Sequence, residues 1–347
     1  MSAPPSPRDA APREVPLAEK VAALGQPSAY PEGTAAVEAI ETHWSWVFLT
    51  DAHAYKLKKP MRQPFFDFTT LAARRLNCEE EVRLNRRLAA DIYLGVVPLG
   101  RIGDRLVLGA EDGIVDWLVR MRRLPEARTL RSLIESRAVP AAGTARLADT
   151  LGAFYARAER AAAPPDDYLR RFAADIDEIA AVLATAAYGL AADAVAAAVA
   201  AARALLADNR AALAARAASG AIVEGHGDLR PEHVYLLEDG PRVLDCLEFS
   251  RTLRTVDPVD ELSFLALECE RLGDRAPGAT LLAAWERASG RPAGNGLVAF
   301  YTAYRALLRA RFAIAHLDDA APDAAALWRA RAEAYLDMTH AARRRAG

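Results

Sequence analysis

The fold is decided by His226-Gly227-Asp228-Leu229-Arg230-Pro231-Glu232-His233, followed at once by Val234-Tyr235-Leu236-Leu237. After the turn Glu238-Asp239-Gly240-Pro241 comes Val243-Leu244-Asp245-Cys246-Leu247-Glu248-Phe249. Asp245 stands seventeen residues beyond Asp228, so two carboxylates flank a pair of short apolar runs joined by a turn. That pattern reads as a β-hairpin with an acid on either side. Phosphoryl transfer asks for such a division of labour, with one Asp to orient and deprotonate a hydroxyl and another to hold the metal on a nucleotide. Gly227 lets the backbone bend tightly and Pro231 stiffens the loop.

The bulk composition narrows the rest. A chain of 347 residues can bury a substantial core and makes one large or two modest domains. Hydrophobic content of 52% and charged content of 26% indicate a soluble globular protein, with much of the apolar share contributed by alanine. A net charge of −2 and a pI near 6.3 argue against a dedicated nucleic-acid binder. Cys78, Cys246 and Cys269 lie far apart with no CxxC, which argues against a zinc site or a disulfide framework and fits a reducing cytoplasm. The start of the chain has no apolar run of signal-peptide type, and the alanine-rich stretch from Ala194 to Ala207, interrupted by Arg203, is too short to span a bilayer. The expected location is cytoplasmic, with no membrane and no nucleic-acid partner. Alanine-rich helical faces serve a core or a dimer interface alike, so oligomeric state is not readable.

Residues 1–15, rich in Pro and Ala, are expected to form a disordered leader. A short helix is expected over 16–24 and a second helical stretch over Thr34–Ile40. Trp44–Leu49 and Ala54–Lys59 read as strands around the turn Thr50–His53. An amphipathic helix follows, capped by Thr69 or Thr70, with Leu71, Leu76, Val82, Leu84 and Leu88 on one broad face. Gly95–Leu108 is β-rich with turns at Gly100 and Gly103-Asp104, and Val115–Met121 is a further strand. Alanine-dominated helices run over 126–220 and resume over 258–344, interrupted by the hairpin of 224–249. The class is α+β: a small β-rich N-terminal lobe over 16–121 and a larger, mainly helical C-terminal lobe over 122–347.

Asp228, His233 and Asp245 follow the kinase order of catalytic Asp, loop metal ligand and second-strand metal Asp. Together with Glu41–Leu49, Tyr55–Pro60, Cys78–Leu88, Asp245–Phe249 and Asp257–Leu262, the stretch resembles the aminoglycoside phosphotransferase family, and so a bilobal protein-kinase-like fold. The resemblance is to a bacterial subgroup, some of whose members carry an additional P-loop ATPase domain; this sequence contains no GxxxxGK[ST].

The resemblance implies an ATP- and magnesium-dependent enzyme that phosphorylates a small-molecule hydroxyl: a sugar, an amino alcohol or an aminoglycoside-like acceptor. It makes Asp228 the catalytic acid–base residue and Asp245 the magnesium ligand. Lys56 becomes the strand lysine on the phosphates and Glu81 its helix partner, with Lys58 and Glu80 left as alternatives. Asp260 or Glu261 would brace the catalytic loop from the following helix, and Asp257 would cap that helix, with Pro258 in its first position. Trp44, Trp46 and Phe48 read as pocket walls or sheet-core aromatics, and Arg230 as a phosphate contact or a surface residue. The acids Asp166, Asp167, Asp175, Asp177 and Glu178 are candidates for gathering a polycationic sugar.

Two departures stand out. His233 replaces the usual asparagine, as a metal ligand or as a loop anchor, and magnesium prefers oxygen. No glycine-rich loop joins the first strands, which leaves phosphates to groups around Thr42–Ser45, to Lys56 and to metal. Both features also fit a second reading, a nucleotide-binding pseudokinase or scaffold with little catalysis.

Overall fold

Strict alternation at the start of the chain builds the first layer. Along His53–Lys58, Tyr55 and Leu57 turn into an apolar core, while Lys56 and Lys58 share the opposite face. The computed structural model describes residues 15–318 and 322–346. It divides the chain into unit 1, Met1–Pro125 with Glu248–Ser250, and unit 2, Glu126–Leu247 with Arg251–Gly347. Of the expected leader, residues 1–14 lie outside the described residues, and Val15 is buried in the core of unit 1.

Unit 1 opens with α1 (Leu17–Leu24) and continues through strands β1 (Glu38–Glu41), β2 (Ser45–Leu49), β3 (His53–Lys58), β4 (Arg62–Gln63) and β5 (Phe66–Asp67). After helix α2 (Leu71–Ala89) come β6 (Tyr93–Ile102), β7 (Arg105–Leu108) and β8 (Asp116–Arg122). Six strands form one antiparallel sheet in the order β1-β2-β3-β8-β6-β7. In the register of β3 and β8, Lys56 faces Val119. Helix α2 begins at Thr70, whose side chain accepts from the Ala73 amide, and packs on β6 and β8.

Three local expectations fail here. The helical stretch over 34–40 is instead edge strand β1 from Glu38, because pairing with β2 outweighs a weak local helix propensity. Gly100 lies inside β6 opposite Val107, where a Cβ would come within 2.3 Å of the Ala110 carbonyl oxygen; the glycine serves close approach, not a turn. On α2, Leu76 is exposed while Arg74, Asn77, Glu81 and Asn85 are buried. Charge partners set that face: Arg74 and Lys20 both reach the buried Asp116, each at 2.7 Å.

Unit 2 is helical around two small β elements. It comprises α3 (Leu130–Glu135), α4 (Ala141–Arg157), α5 (Pro165–Leu183), α6 (Ala192–Asp208), α7 (Arg210–Ala218), α8 (Pro258–Arg271), α9 (Ala276–Ser289), α10 (Asn295–Ala315) and α11 (Pro322–Ala346). Between α7 and α8 lie β9 (Val223–Glu224), β10 (Val234–Leu237), β11 (Gly240–Val243) and β12 (Thr255–Val256). β10 and β11 form a hairpin that turns through Glu238 and Asp239 and packs on α3 and α4. β9 pairs with β12, so the segment 225–254 is pinned at its base, where Glu224 and Arg254 form a buried ion pair at 2.9 Å. No described helix is long and apolar enough to cross a membrane.

Candidate active site

Hairpin pairing brings the two acids of unit 2 onto neighbouring backbone. The Leu244 amide donates to the His233 carbonyl and the Leu247 amide to the His226 carbonyl, both at 2.9 Å. Asp228 and Asp245 thus sit on adjacent segments that run antiparallel, with His233 in reach of both: its Nδ1 lies 3.8 Å from Asp228 Oδ2 and its Nε2 3.6 Å from Asp245 Oδ2. Asp245 is half exposed and holds φ of 61°, a left-handed conformation uncommon outside glycine that clusters at functional sites. Gly227 has φ of 88°, and a Cβ there would fall 2.8 Å from Leu247 Cβ, so the turn requires glycine.

Neighbouring helices fix the loop. Glu261 of α8 accepts from the His226 amide at 2.8 Å, from the Gly227 amide and from the Tyr155 hydroxyl at 2.9 Å. Burial pushes its carboxyl above the ordinary value even so. Of the two acids left open by the sequence, Glu261 therefore braces the loop, while Asp260 pairs with Arg305 at 2.6 Å. Asp257 caps α8 by accepting from Val259 and also binds Arg216. His226 anchors the far side: its Nε2 contacts the Leu244 carbonyl at 2.9 Å, and burial, with His233 nearby, lowers its pKa to about 4.

Asp228 is ionised by its surroundings. Burial works against the charge, but Arg230 first, then His233 and Arg309, hold its carboxyl below the ordinary value. Arg230 makes an ion pair with Asp228 at 2.9 Å and with Glu232 at 2.7 Å. His233 Nδ1 contacts the Asp228 carbonyl at 2.9 Å, which only accepts, so this nitrogen carries the hydrogen. Its Nε2 faces an Arg230 nitrogen at 3.2 Å and acts as acceptor.

In unit 1, Lys56 lies 3.0 Å from Glu81, and Lys58 contacts the other oxygen of the same carboxylate. Glu81 and Lys58 are fully buried, whereas the Lys56 side chain keeps 14% of its surface open. Glu80, the alternative, pairs at the surface with Arg83. Glu248, which sequence reasoning missed although it lies in the Asp245–Phe249 stretch, is the second partner of Lys58. Burial disfavours the Lys58 charge, but Glu248 and Glu81 outweigh it and raise its pKa. Phe249 follows, its ring edge-on to Trp44 at 4.7 Å. Phe48 is a core residue, with Trp46 packed beside it. Around Thr42–Ser45 the Thr42 hydroxyl and the Ser45 amide are spent on each other.

Among the described residues no group of three His, Cys, Asp or Glu side chains forms a metal cage. Magnesium commonly takes one or two carboxylates and completes its shell with phosphates and water, which Asp245 fits. The His233 Nε2 lone pair points at Arg230 and so is not preset for a metal. A hollow of about 590 Å³ in unit 2, lined by Asp166, Arg170, Arg203 and Arg210 among others, contains none of these residues. Of the acids expected to gather a polycation, Asp167 pairs at the surface with Arg170, Asp177 with Arg203 and Glu178 with Arg311, Asp166 lies 3.8 Å from Arg210, and Asp175 accepts from the Tyr304 hydroxyl.

No protein-family model matches the chain. Uncharacterized proteins of Mycobacterium tuberculosis and Mycobacterium bovis are 32% identical to it over 296 residues, which is 84% of this chain. That alignment spans 57% of the length of these curated relatives. A choline/ethanolamine kinase family protein of Mesorhizobium loti superposes with a TM-score of 0.51 at 16% identity, over 94% of this chain and 99% of that one. Aminoglycoside 2'-phosphotransferase-IIIa, solved as its GDP complex, gives 0.50 at 14% identity over 90% and 94%. The chain therefore has the kinase-like α+β fold seen in choline/ethanolamine kinase family and aminoglycoside phosphotransferase structures.

Proposed function

We propose that this chain is a small-molecule phosphotransferase that moves the γ-phosphoryl group of ATP to an acceptor hydroxyl. The observation that carries the reading is the pairing of Asp228 and Asp245 on adjacent loops, with an ionised Asp228 and a backbone held by Glu261. In the transfer, the hydroxyl oxygen bonds to the γ-phosphorus as the bond to the bridging oxygen breaks. ADP leaves with the electron pair, and the hydroxyl proton passes to an Asp228 oxygen and on to water. Asp245 would hold a magnesium ion, which when bound supplies positive charge on the phosphates. Lys56, the partly open lysine of the pair on Glu81, would orient the donor, and Lys58 would hold Glu81 in place. His233 would act as loop anchor through Nδ1. The fold supports a nucleotide-dependent transferase, and the GDP bound to the 2'-phosphotransferase makes GTP a donor to test beside ATP.

The test is nucleoside diphosphate release with magnesium across a panel of sugars, sugar phosphates, hydroxy acids, amino alcohols and aminoglycosides. An acceptor-stimulated rate that falls about a hundredfold or more in Asp228→Asn is expected, because positioned catalytic groups act as a unit. A rate indifferent to that change would refute the assignment. The Arg230–Asp228 ion pair favours a second reading, since it occupies the catalytic carboxylate. A nucleotide-binding pseudokinase would bind the donor and show no acceptor-stimulated release.

A further inference from the structure

Beyond Asp228, unit 2 gathers guanidinium groups that the transfer itself does not require. Helix α8 packs against the Pro231–His233 turn and carries Glu268 and Arg271. Arg309 of α10 binds Glu268 at 3.0 Å, and Arg271 binds the same carboxylate at 2.9 Å. Both guanidiniums lie over the ring of Tyr335 on α11, whose hydroxyl donates to Glu268 at 2.6 Å. One turn before Tyr335, Arg331 stacks on Trp328 at 4.8 Å and has no carboxylate partner among the described residues. Glu333 and Asp337 are exposed and, two and six residues along α11, lie off the Arg331–Tyr335 face. Arg230, Arg271, Arg309 and Arg331 thus share one corner with Asp228, Glu232 and Glu268, with Asp245 on the loop beside Asp228, and Arg331 is the one of the four arginines that no described carboxylate binds.

All four arginines are half-buried, so each keeps some access to solvent. Arg309 is close enough to Asp228 to help hold its carboxyl low, and burial together with Arg271 and Arg309 depresses Arg331. Such crowding is costly unless an anion relieves it. The acids of α5 that would suit a polycation each have an arginine or the Tyr304 hydroxyl beside them.

Resting on the phosphotransferase reading, we infer that the acceptor is anionic: a hydroxyl compound that also bears a phosphate or carboxylate, held by Arg331 with Arg309 and Arg271 beside Asp228. Arginine suits this role because its planar fork matches both anions with paired donors. A cationic amino alcohol or an aminoglycoside would meet like charge at the same place.

The experiment titrates the full chain, saturated with magnesium and a non-hydrolysable ATP analogue so that the nucleotide site is filled. Glycerol 3-phosphate, glycerate, glycerol and choline are the probes, and Arg331→Gln is run in parallel with a thermal melt to confirm folding. One of the two anions should bind at least tenfold more tightly than glycerol or choline, and the better one identifies the group recognised. Arg331→Gln should weaken that binding by about tenfold with analogue affinity unchanged. Glycerol or choline binding as well as the anions, no anion binding, or an indifferent Arg331→Gln would overturn the anionic assignment while analogue binding left the phosphotransferase reading standing. Failure of the analogue itself to bind would remove that reading and this one with it. Should Arg331→Gln melt early, Arg331→Lys replaces it, keeping the charge but not the fork, and an undiminished affinity there would likewise contradict the assignment.

Discussion

Lys56 and Lys58 sit two residues apart on one strand face and share one carboxylate, yet their surroundings give them different work. Lys58 is sealed between Glu81 and Glu248, whereas Lys56 keeps an open flank. Removing one member of a buried ion pair leaves the other charge stranded, which costs ~3–5 kcal/mol. Lys58→Met is expected to lower unfolding free energy by about 3 kcal/mol, read from urea denaturation. Lys56→Met should cost under about 1 kcal/mol and instead raise the donor KM by on the order of tenfold. A reversed pattern would exchange their roles. His226 carries a pH signature. Its folded pKa of about 4 lies below the ordinary histidine value, so the unfolded chain binds the extra proton first. The stability tied to this residue is complete above pH ~6.5 and is lost as pH falls toward 4, by on the order of 3 kcal/mol. Denaturation from pH 7 to 4, compared between the native chain and His226→Asn, should show a smaller decline in the variant. Parallel curves would mean that His226 is not buried neutral.

At the level of elements, the segment 225–254 is a strap held at three places. β9 and β12 close its base, the β10–β11 hairpin sets its register, and Glu261 takes the amides of its first turn. Glu261→Ala removes a buried charged acceptor from three donors, and a loss of about 2–4 kcal/mol is expected together with most of the turnover. Stability and activity that both survive the change would show that the brace is dispensable. This hairpin was legible in the sequence because period-two apolar runs, a turn and two acids recur within one short stretch, and β3 was legible by the same alternation. The cap at Thr70 or Thr69 was visible from residue type, with the structure choosing Thr70. Edge strand β1 was not legible, since pairing with β2 rather than local propensity decides it. Nor was the polar buried face of α2: Arg74 and Glu81 look like solvated residues until Asp116, Lys56 and Lys58 arrive from the sheet. Glu248 was hidden for the same reason, because its partner lies 190 residues earlier in the chain.

For the whole molecule, fold and chemistry rest on different grounds. Superposition on kinase-like structures at low identity gives the fold, while the function is argued from side chains that each unit holds: Lys56, Lys58 and Glu81 in unit 1, Asp228, His233 and Asp245 in unit 2. The acidic sites of α5 illustrate how far a family resemblance reaches. They were candidates for a polycation by charge alone, and the structure sets an arginine or a tyrosine hydroxyl beside each. The chain's relatives in Mycobacterium are longer and uncharacterized, so the chemistry must be measured on this protein. The most direct measurement is calorimetric titration of ATP into the full chain with and without magnesium, repeated with Asp245→Ala. The account predicts binding that requires magnesium and weakens by at least tenfold in Asp245→Ala. Binding indifferent to both magnesium and Asp245, or no binding at all, would contradict it.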